Sequence, residues 1–268
     1  MSVLRRTVLH LLALFFILPL FSSAAEKNLS IIRVLTYNIH HGEGSYSKLD
    51  VERIGRIMKS AQADLVALQE VDNKAKRTGG VDQAAKLAEF TGLHAAFGPA
   101  MEFQGGSYGV AILSRWPLHE VETHPLPASP DTEPRVLQSA LVAVHGSSTK
   151  VRFLVTHLDH RSDPAQRKIQ AAKIRELVAP KPGEPAAILA GDFNAAPGSE
   201  EIGAFLRESW SDSAAGMSFP TFPSESPKTK IDYIFIRPAT TWRVIETLAL
   251  DEPVASDHRP VLAVLELR

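Results

Sequence analysis

The feature that most constrains this 268-residue chain is a series of short apolar runs that each end in a polar residue. Residues 186–190 are alanine or aliphatic, and Gly191-Asp192-Phe193-Asn194 follows them directly. A short apolar run that meets turn residues is typical of a buried strand. Asp192 and Asn194 are two positions apart, so their side chains point to the same side wherever the chain is extended. Taken alone, the pair is more typical of a turn than of a functional site.

The same pattern recurs along the chain and alternates with amphipathic segments. Strands are predicted at residues 31–39, 65–69, 110–113, 137–144, 151–156, 186–190, 231–236, 243–250 and 261–267. Helices are predicted at residues 50–61, with Asp50 as N-cap, and at 82–91, 164–178 and 200–207. Strands joined by short links run antiparallel. We therefore predict an α+β fold, a four-layer α/β/β/α sandwich of two mixed, largely antiparallel sheets with helices on the outer faces.

The first 25 residues form a separate segment. Two arginines precede an apolar block at residues 8–21, and small residues follow at 23–25. This is the pattern of a secretory signal, and the apolar block is shorter than the roughly 20 residues that span a bilayer. We expect a signal peptide at residues 1–25, cleavage near Ala25, one mature domain at 26–268, and a secreted or periplasmic protein. An uncleaved anchor is the alternative.

Charge and cysteine content narrow the function. The chain has 29 basic and 30 acidic side chains, and loss of the first 25 residues would remove two arginines and no acid. Proteins that bind long nucleic acid through its backbone usually have a basic face. The net charge gives that function no support, although a local basic patch stays open. The chain has no cysteine, which excludes disulfides and thiolate metal sites.

Residues suited to metal binding or proton transfer lie where the predicted strands begin or end. They are Asn38, Glu70, His157, Asp192, Asp232, Asp257 and His258. If the late strands run opposite to the early ones, these residues meet at one edge of the sandwich. Carboxylate and amide oxygens suit Mg²⁺ or Mn²⁺ rather than zinc, and a buried cluster of acids is costly without a cation. The cluster therefore predicts a divalent ion.

Seven segments carry a resemblance to a known family. In order they are "TYNIHHG", "LVALQEVD", "YGVAILSR", "VTHLDH", "AGDFN", "IDYIF" and "SDHRPV". Together they resemble the endonuclease/exonuclease/phosphatase superfamily, which includes pancreatic deoxyribonuclease, apurinic-site nucleases, bacterial sphingomyelinases and inositol-polyphosphate phosphatases. The resemblance covers about residues 33–267 and implies a metal-dependent phosphoric ester hydrolase. It further implies that Glu70 is the main metal ligand, assisted by Asn38 and Asp257.

The resemblance also implies catalytic roles. Asp192 would position or deprotonate the attacking water, and Asn194 would hold a phosphate oxygen. His258, oriented by Asp232, would contact the scissile phosphate or act as an acid or base. His157 would stabilise charge on the phosphoryl oxygens or protonate the leaving group. In-line attack on a phosphate needs an oriented water, charge neutralisation and a donor for the leaving group.

Other residues near these motifs leave alternatives open. Tyr108 lies one position downstream of the tyrosine that contacts phosphate in the resembling apurinic-site nucleases, so phosphate contact and packing at the rim are both open. Arg161 is a candidate for binding a phosphate or an anionic head group, with a solvated loop as the alternative. Arg77 is a further candidate on the substrate side. His40 and His41 lie in a glycine-containing loop and are expected to be solvated.

The sequence leaves the substrate open. A lipid head group such as that of sphingomyelin, a small phosphoester and extracellular nucleic acid are all compatible with it, and a nuclease is the main alternative function. Export argues against chromosomal DNA repair. A non-catalytic binding module on the same fold is a further alternative, but its mark would be the loss of site residues, and all of them are present. We expect a monomer that needs no obligate protein partner.

Overall fold

Two six-stranded sheets stack face to face in the structure, a computed structural model that describes residues 30–144, 150–207, 209–217 and 219–268. The predicted signal peptide, residues 1–25, lies outside the described residues. Within the described part of the chain, no helix is both long enough and apolar enough to cross a membrane.

The described residues include twelve strands and four α-helices. The strands are β1 (Ser30–Asn38), β2 (Leu65–Asn73), β3 (His94–Phe103), β4 (Gly106–Ser114), β5 (His119–Pro125), β6 (Val136–Ala143), β7 (Lys150–His157), β8 (Ala186–Asp192), β9 (Ser211–Asp212), β10 (Asp232–Arg237), β11 (Trp242–Ala249) and β12 (Val261–Leu267). The helices are α1 (Val51–Ser60), α2 (Gln83–Thr91), α3 (Ala165–Leu177) and α4 (Glu200–Arg207).

Both sheets are mixed. The first sheet has the order β11-β12-β1-β2-β4-β3, and the second has the order β5-β6-β7-β8-β10-β9. Each sheet contains one parallel pair, β1 with β2 and β7 with β8, and each of these pairs is joined through a helix, α1 or α3. The remaining neighbours are antiparallel. This confirms the predicted combination of two mixed, largely antiparallel sheets.

Three apolar clusters separate the four layers. The central cluster lies between the sheets and includes Val34 and Phe153. A second cluster packs α1 and α2 against the outer face of the first sheet, and a third packs α3 and α4 against the second sheet. Successive residues of a strand face opposite sides, so Val34 and Leu35 of β1 enter different clusters. Strands buried on both faces explain why the sequence shows continuous apolar runs instead of alternation.

The element boundaries correct the sequence prediction in a few places. Strands β3, β5 and β9 were not predicted, because β3 is mostly exposed or half-buried, β5 is largely exposed and β9 has only two residues. β2 continues through Glu70 to Asn73 instead of ending at Gln69. The first helix begins after Asp50, whose Oδ1 accepts a hydrogen bond of 2.9 Å from the backbone N–H of Arg53, as expected of an N-cap.

Candidate active site

Strand register brings three predicted site residues together in the second sheet. β7 ends at His157, which lies beside Asp192 at the end of the parallel strand β8. β10 runs antiparallel to β8 and begins at Asp232, directly opposite Asp192. A Cβ at Gly191 would collide with the backbone oxygen of Thr156, so a glycine permits the close approach of β8 to β7 just before the site.

Asn38, at the end of β1, links the first sheet to this cluster. Its Nδ2 donates to Oε1 of Glu70 at 3.0 Å and to Oδ2 of Asp192 at 3.1 Å. Its backbone oxygen accepts a hydrogen bond of 2.7 Å from Oγ of Ser256. That contact fixes the loop that precedes β12 and places His258 beside the cluster. The early strand ends and the late strand starts therefore meet at one edge, as predicted.

Glu70 lies at an irregularity within β2 and not after the strand's end. The register between β2 and β4 shifts between Leu68 and Val71, and Glu70 has a φ of 57°. Such a conformation is uncommon outside glycine and is frequently found at functional sites. The bulge directs the Glu70 carboxylate to the rim without ending the sheet.

One cavity of about 380 Å³ opens at this edge. Seven predicted site residues line it: Glu70, Tyr108, His157, Asp192, Asn194, Asp257 and His258. Other lining residues are His40, Arg77, Met101, Phe103, Glu133, Arg135, His160 and Phe222. Asn38 and Asp232 are fully buried and act on the lining residues through hydrogen bonds.

His258 is held by a buried carboxylate. Its Nδ1 lies 3.0 Å from Oδ2 of Asp232, and the same oxygen accepts a hydrogen bond of 2.6 Å from Oγ1 of Thr221. Because a carboxylate can only accept, Nδ1 carries a proton and Nε2 faces Asp192 at 3.6 Å. Burial alone lowers the pKa of His258, but Asp232, Asp192 and Asp257 outweigh it and raise the pKa to about 10.

Asp192 is buried against a second carboxylate. Burial raises the pKa of Asp192 to about 7, and the charge of Asp232 adds to the rise, while His258 opposes it. The backbone N–H of Asn194 donates to Oδ1 of Asp192 at 2.8 Å. This carboxyl group can therefore gain and lose a proton near neutral pH.

His157 is oriented by an arginine instead of a carboxylate. Nη1 of Arg135 lies 2.7 Å from Nδ1 of His157 and 2.9 Å from Oε1 of Glu133. A guanidinium can only donate, so Nδ1 accepts and the proton of the neutral ring is on Nε2. That nitrogen lies 3.4 Å from Oδ2 of Asp192, which can accept its proton. Nδ2 of Asn194, 3.1 Å away, is itself a donor and donates to the backbone oxygen of Leu158. Burial lowers the pKa of His157 well below its usual value, and the charge of Arg135 lowers it further.

Arg135 was missed at the sequence level. It lies immediately before the buried strand β6 and is 3% exposed. The sequence did contain one signal, a cationic residue directly before an apolar run. A charge buried at the start of a strand needs partners, so such a residue is a candidate for a site. Its two imidazole neighbours, His157 and His160, are 22 and 25 residues away in sequence, a distance at which no local motif joins them.

Of the two predicted substrate-binding residues, one lies at the cavity and the other does not. Tyr108 lines the cavity, and burial, followed by the charge of Glu70, raises its pKa, so its phenol stays protonated. Arg161 does not line the cavity. Its backbone N–H and Nε both donate to Oδ2 of Asp159, and the residue is exposed. The adjacent His160 lines the cavity instead.

The prediction that His41 is solvated was wrong, whereas His40 is half-buried. His40 lines the cavity, and His41 is 8% exposed. The loop folds inward because Nε2 of Gln83 donates to the backbone oxygen of His41 at 2.6 Å. Burial lowers the pKa of His41, and the charge of Arg77 lowers it further.

The donor set fits a divalent cation. The carboxylates of Glu70 and of the half-buried Asp257 line the same cavity. Nδ2 of Asn38 donates to Glu70 at 3.0 Å, and its Oδ1 accepts from the backbone N–H of His40 and keeps a second lone pair. Oxygen ligands of this kind are those preferred by Mg²⁺ and Mn²⁺. A bound cation would neutralise the charge of a phosphate next to these acids.

A four-layer sandwich with carboxylates, amides and imidazoles at one rim has the architecture of a class of phosphoester hydrolases that generally use divalent metals. The chain belongs to the endonuclease/exonuclease/phosphatase family, whose model matches residues 35–258. This confirms the family indicated by the seven sequence segments.

The chain is also similar to individual proteins. YbhP of Escherichia coli strain K12 is 27% identical over 258 residues, covering 88% of this chain and 96% of YbhP. The endonuclease/exonuclease/phosphatase from Beutenbergia cavernae DSM 12333 superposes with a TM-score of 0.73 at 24% identity, covering 89% of this chain and 72% of that one. Mannosyl-6-phosphatase Bt3783 of Bacteroides thetaiotaomicron VPI-5482 superposes with a TM-score of 0.71 at 20% identity, covering 87% and 99%. The two structures support the fold.

Proposed function

We propose that this chain is an exported, divalent-metal-dependent phosphoesterase that hydrolyses a phosphodiester or phosphomonoester by in-line attack of water. The observation that carries the proposal is the position of Asp192 between two imidazoles. Its Oδ2 is 3.4 Å from Nε2 of His157 and 3.6 Å from Nε2 of His258. A base flanked by two donors suits attack on a phosphate, which needs a positioned water and stabilisation of the developing charge.

The protonation states support a division of roles. Asp192 is suited to orient and deprotonate the water, because its raised pKa of about 7 lies near the pH at which a base works best. His258 is cationic at neutral pH, since its pKa is raised to about 10, and is suited to bind a phosphoryl oxygen. Asp232 keeps that ring charged and oriented.

Residues beside Asp192 supply further donors. His157 presents its protonated Nε2 to the cavity, since Arg135 occupies Nδ1. The side chain of Asn194 lines the cavity beside it and is suited to hold another phosphoryl oxygen. Glu70, Asn38 and Asp257 would hold Mg²⁺ or Mn²⁺, which supplies charge neutralisation when bound.

The shape of the cavity favours a small substrate. Its volume of about 380 Å³ is near the lower end of the range for ligand pockets. Arg77, paired with Asp72, and Arg135, paired with Glu133, line the cavity. Phe103 and Phe222 offer apolar surface to the part of the substrate that carries the phosphate. We therefore favour a small phosphoester or a lipid head group over a polynucleotide, with nuclease activity as the alternative.

A substrate panel tests this proposal. The mature chain is assayed with Mg²⁺ or Mn²⁺ on bis-p-nitrophenyl phosphate, inositol phosphates, sphingomyelin and plasmid DNA. We expect turnover of a small ester or head group, and a loss of at least ~10²-fold in rate for both Asp192→Ala and His258→Ala. His94→Gln, at an exposed position of β3, is the control. Absence of turnover on every ester with every divalent ion would leave only the binding-module alternative.

Export is tested separately. The full chain is expressed in a bacterial host, and the mass of the protein released from the periplasm is measured. We expect a product that lacks residues 1–25. A full-length product retained in the membrane would instead support the uncleaved anchor.

A further inference from the structure

Two histidines beside Glu70 have no role in the proposed reaction. His40 and His41 follow the end of β1, and their rings are 4.5 Å apart. His40, His41 and Glu70 each offer one ligand atom, and the three atoms lie within 4.8 Å of one another. This group therefore combines two imidazoles and one carboxylate in a volume small enough for one cation.

Hydrogen bonds to a single residue fix the tautomers of both rings. Nδ1 of His40 lies 3.1 Å from the backbone oxygen of Glu43, and Nε2 of His41 lies 3.3 Å from Oε2 of the same residue. Both oxygens can only accept, so these nitrogens carry the protons. In the neutral rings the lone pairs are consequently on Nε2 of His40 and Nδ1 of His41.

The lone pair of His41 lacks a partner. Nδ1 of His41 is buried and has no hydrogen bond to any of the described residues. A buried acceptor without a partner is costly, and a metal ion is one means of satisfying an imidazole nitrogen. Metal-bound histidines usually donate their second N–H to a carboxylate or a backbone carbonyl. Glu43 provides both kinds of acceptor here.

The backbone holds the two rings in place. His40 and His41 have φ values of 44° and 42°, a conformation that is uncommon for residues other than glycine. The turn is secured by the backbone N–H of His40, which donates to Oδ1 of Asn38 at 3.1 Å, and by Gln83, which donates to the backbone oxygen of His41. Strained conformations of this kind persist where the surroundings determine them, and they cluster at ligand sites.

We propose that His40, His41 and Glu70 form a nitrogen-containing site for a borderline divalent cation such as Zn²⁺, with Glu43 orienting both imidazoles. Imidazole suits Zn²⁺, whereas Mg²⁺ selects oxygen ligands. The inference deepens the proposed function, because Glu70 is also the main predicted Mg²⁺ ligand. Zn²⁺ bound at this site would be coordinated by the same carboxylate, so the two cations compete for Glu70.

Calorimetric titration with Zn²⁺ and with Mg²⁺, each alone, tests the site. We expect His40→Gln to weaken Zn²⁺ binding at least ~10-fold and to leave Mg²⁺ binding within about twofold, since imidazole contributes only to the borderline cation. Glu43→Ala removes the side-chain acceptor of His41 and should weaken Zn²⁺ binding about 10- to 100-fold, the range seen when an orienting partner is lost. His94→Gln, which removes an exposed histidine of β3, should change neither.

A second measurement uses the unaltered chain, because replacing the buried His41 can disturb folding. Nitrogen NMR of the imidazoles should show Nε2 of His40 and Nδ1 of His41 shifting when Zn²⁺ is added, and neither shifting with Mg²⁺. Unchanged Zn²⁺ affinity in His40→Gln, or no shift of these two nitrogens, overturns the inference.

The outcome separates this inference from the proposed function. Hydrolysis with Mg²⁺ together with wild-type Zn²⁺ binding in His40→Gln would remove only the nitrogen-containing site. Zn²⁺ binding that depends on His40 and Glu43, without turnover of any ester, would remove only the proposed hydrolysis.

Discussion

Arg135 donates a hydrogen bond of 2.7 Å from Nη1 to Nδ1 of His157. The contact determines which nitrogen of the imidazole faces the cavity with a proton, and it puts a fixed positive charge next to a ring that is already buried. His157 is thereby kept neutral while remaining a donor at Nε2. His258 shows the opposite case: its Nδ1 faces the carboxylate of Asp232, an acceptor, and therefore carries the proton.

Replacing Arg135 should change the titration of His157 in a way that separates charge from geometry. In Arg135→Met we expect the pKa of His157 to rise towards its ordinary value, since the cation that lowers it is lost while burial remains. Arg135→Lys keeps the charge without the planar fork, so the pKa should stay low. Imidazole NMR measures both. Identical pKa values in the two variants would show that the charge of Arg135 has no effect.

The Asp232–His258 pair should make the free energy of unfolding decrease as the pH becomes alkaline. The pKa of His258 is raised to about 10 in the folded chain, against about 6.5 in an unfolded one. The stabilisation that the raised pKa reflects is present in full at any pH below the pKa of the unfolded chain. It is lost as the pH rises from about 6.5 to about 10.

Urea titrations without metal at pH 7 and pH 10 measure this effect. We expect the free energy of unfolding to fall between the two, and to fall less in Asp232→Asn, where the pKa of His258 is lowered. A fall of the same size in Asp232→Asn would assign the loss to other groups.

Divalent cations should stabilise the chain through Glu70. A ligand that binds only the folded state at 100 times its dissociation constant adds about 2.7 kcal/mol, which for a chain of this size corresponds to a rise in Tm on the order of 5–10 °C. We expect this rise with Mg²⁺, its reversal by a chelator, and its loss in Glu70→Gln.

Glu102→Gln is the matched control for this experiment, because it removes an exposed acid of β3. Its Tm should respond to Mg²⁺ as the wild type does. An equal Mg²⁺ response in Glu70→Gln would contradict the assigned ligand.

Gly191 should be intolerant of a side chain. A Cβ there would meet the backbone oxygen of Thr156, which cannot rotate away as a side chain does. We expect Gly191→Ala to lower the free energy of unfolding by about 1–3 kcal/mol, as overpacking does, and to reduce turnover by moving Asp192 away from His157. Denaturant unfolding and the ester assay measure the two effects.

Gly203→Ala is the corresponding control. Gly203 lies in α4, where an added Cβ would meet only the flexible end of Arg207. Alanine is favoured over glycine inside helices by roughly 0.5–1 kcal/mol, so this variant should be neutral or stabilised. Equal destabilisation of the two variants would show that the contact with Thr156 is not the cause.

The sequence predicted buried elements accurately and missed exposed ones. The bounds of α4 and β12 agree with their predictions, because both have apolar patterns set by the core that they cover. The strands β3 and β5 were missed, since edge strands with exposed faces lack such a pattern. Glu70 was predicted to follow a strand, but it lies at a bulge within β2, which depends on pairing with β4.

The sequence by itself determined the layered fold, the family and the residues suited to metal and phosphate chemistry, because apolar periodicity and local motifs are properties of neighbouring positions. Tertiary structure alone decided which nitrogen of each imidazole carries a proton, since that choice depends on partners distant in sequence, such as Arg135 for His157 and Asp232 for His258. It also buried His41, because a contact from Gln83 folds its loop inward. Hydrogen-bond partners and burial are set by how strands meet in space, and one linear sequence does not contain those distances.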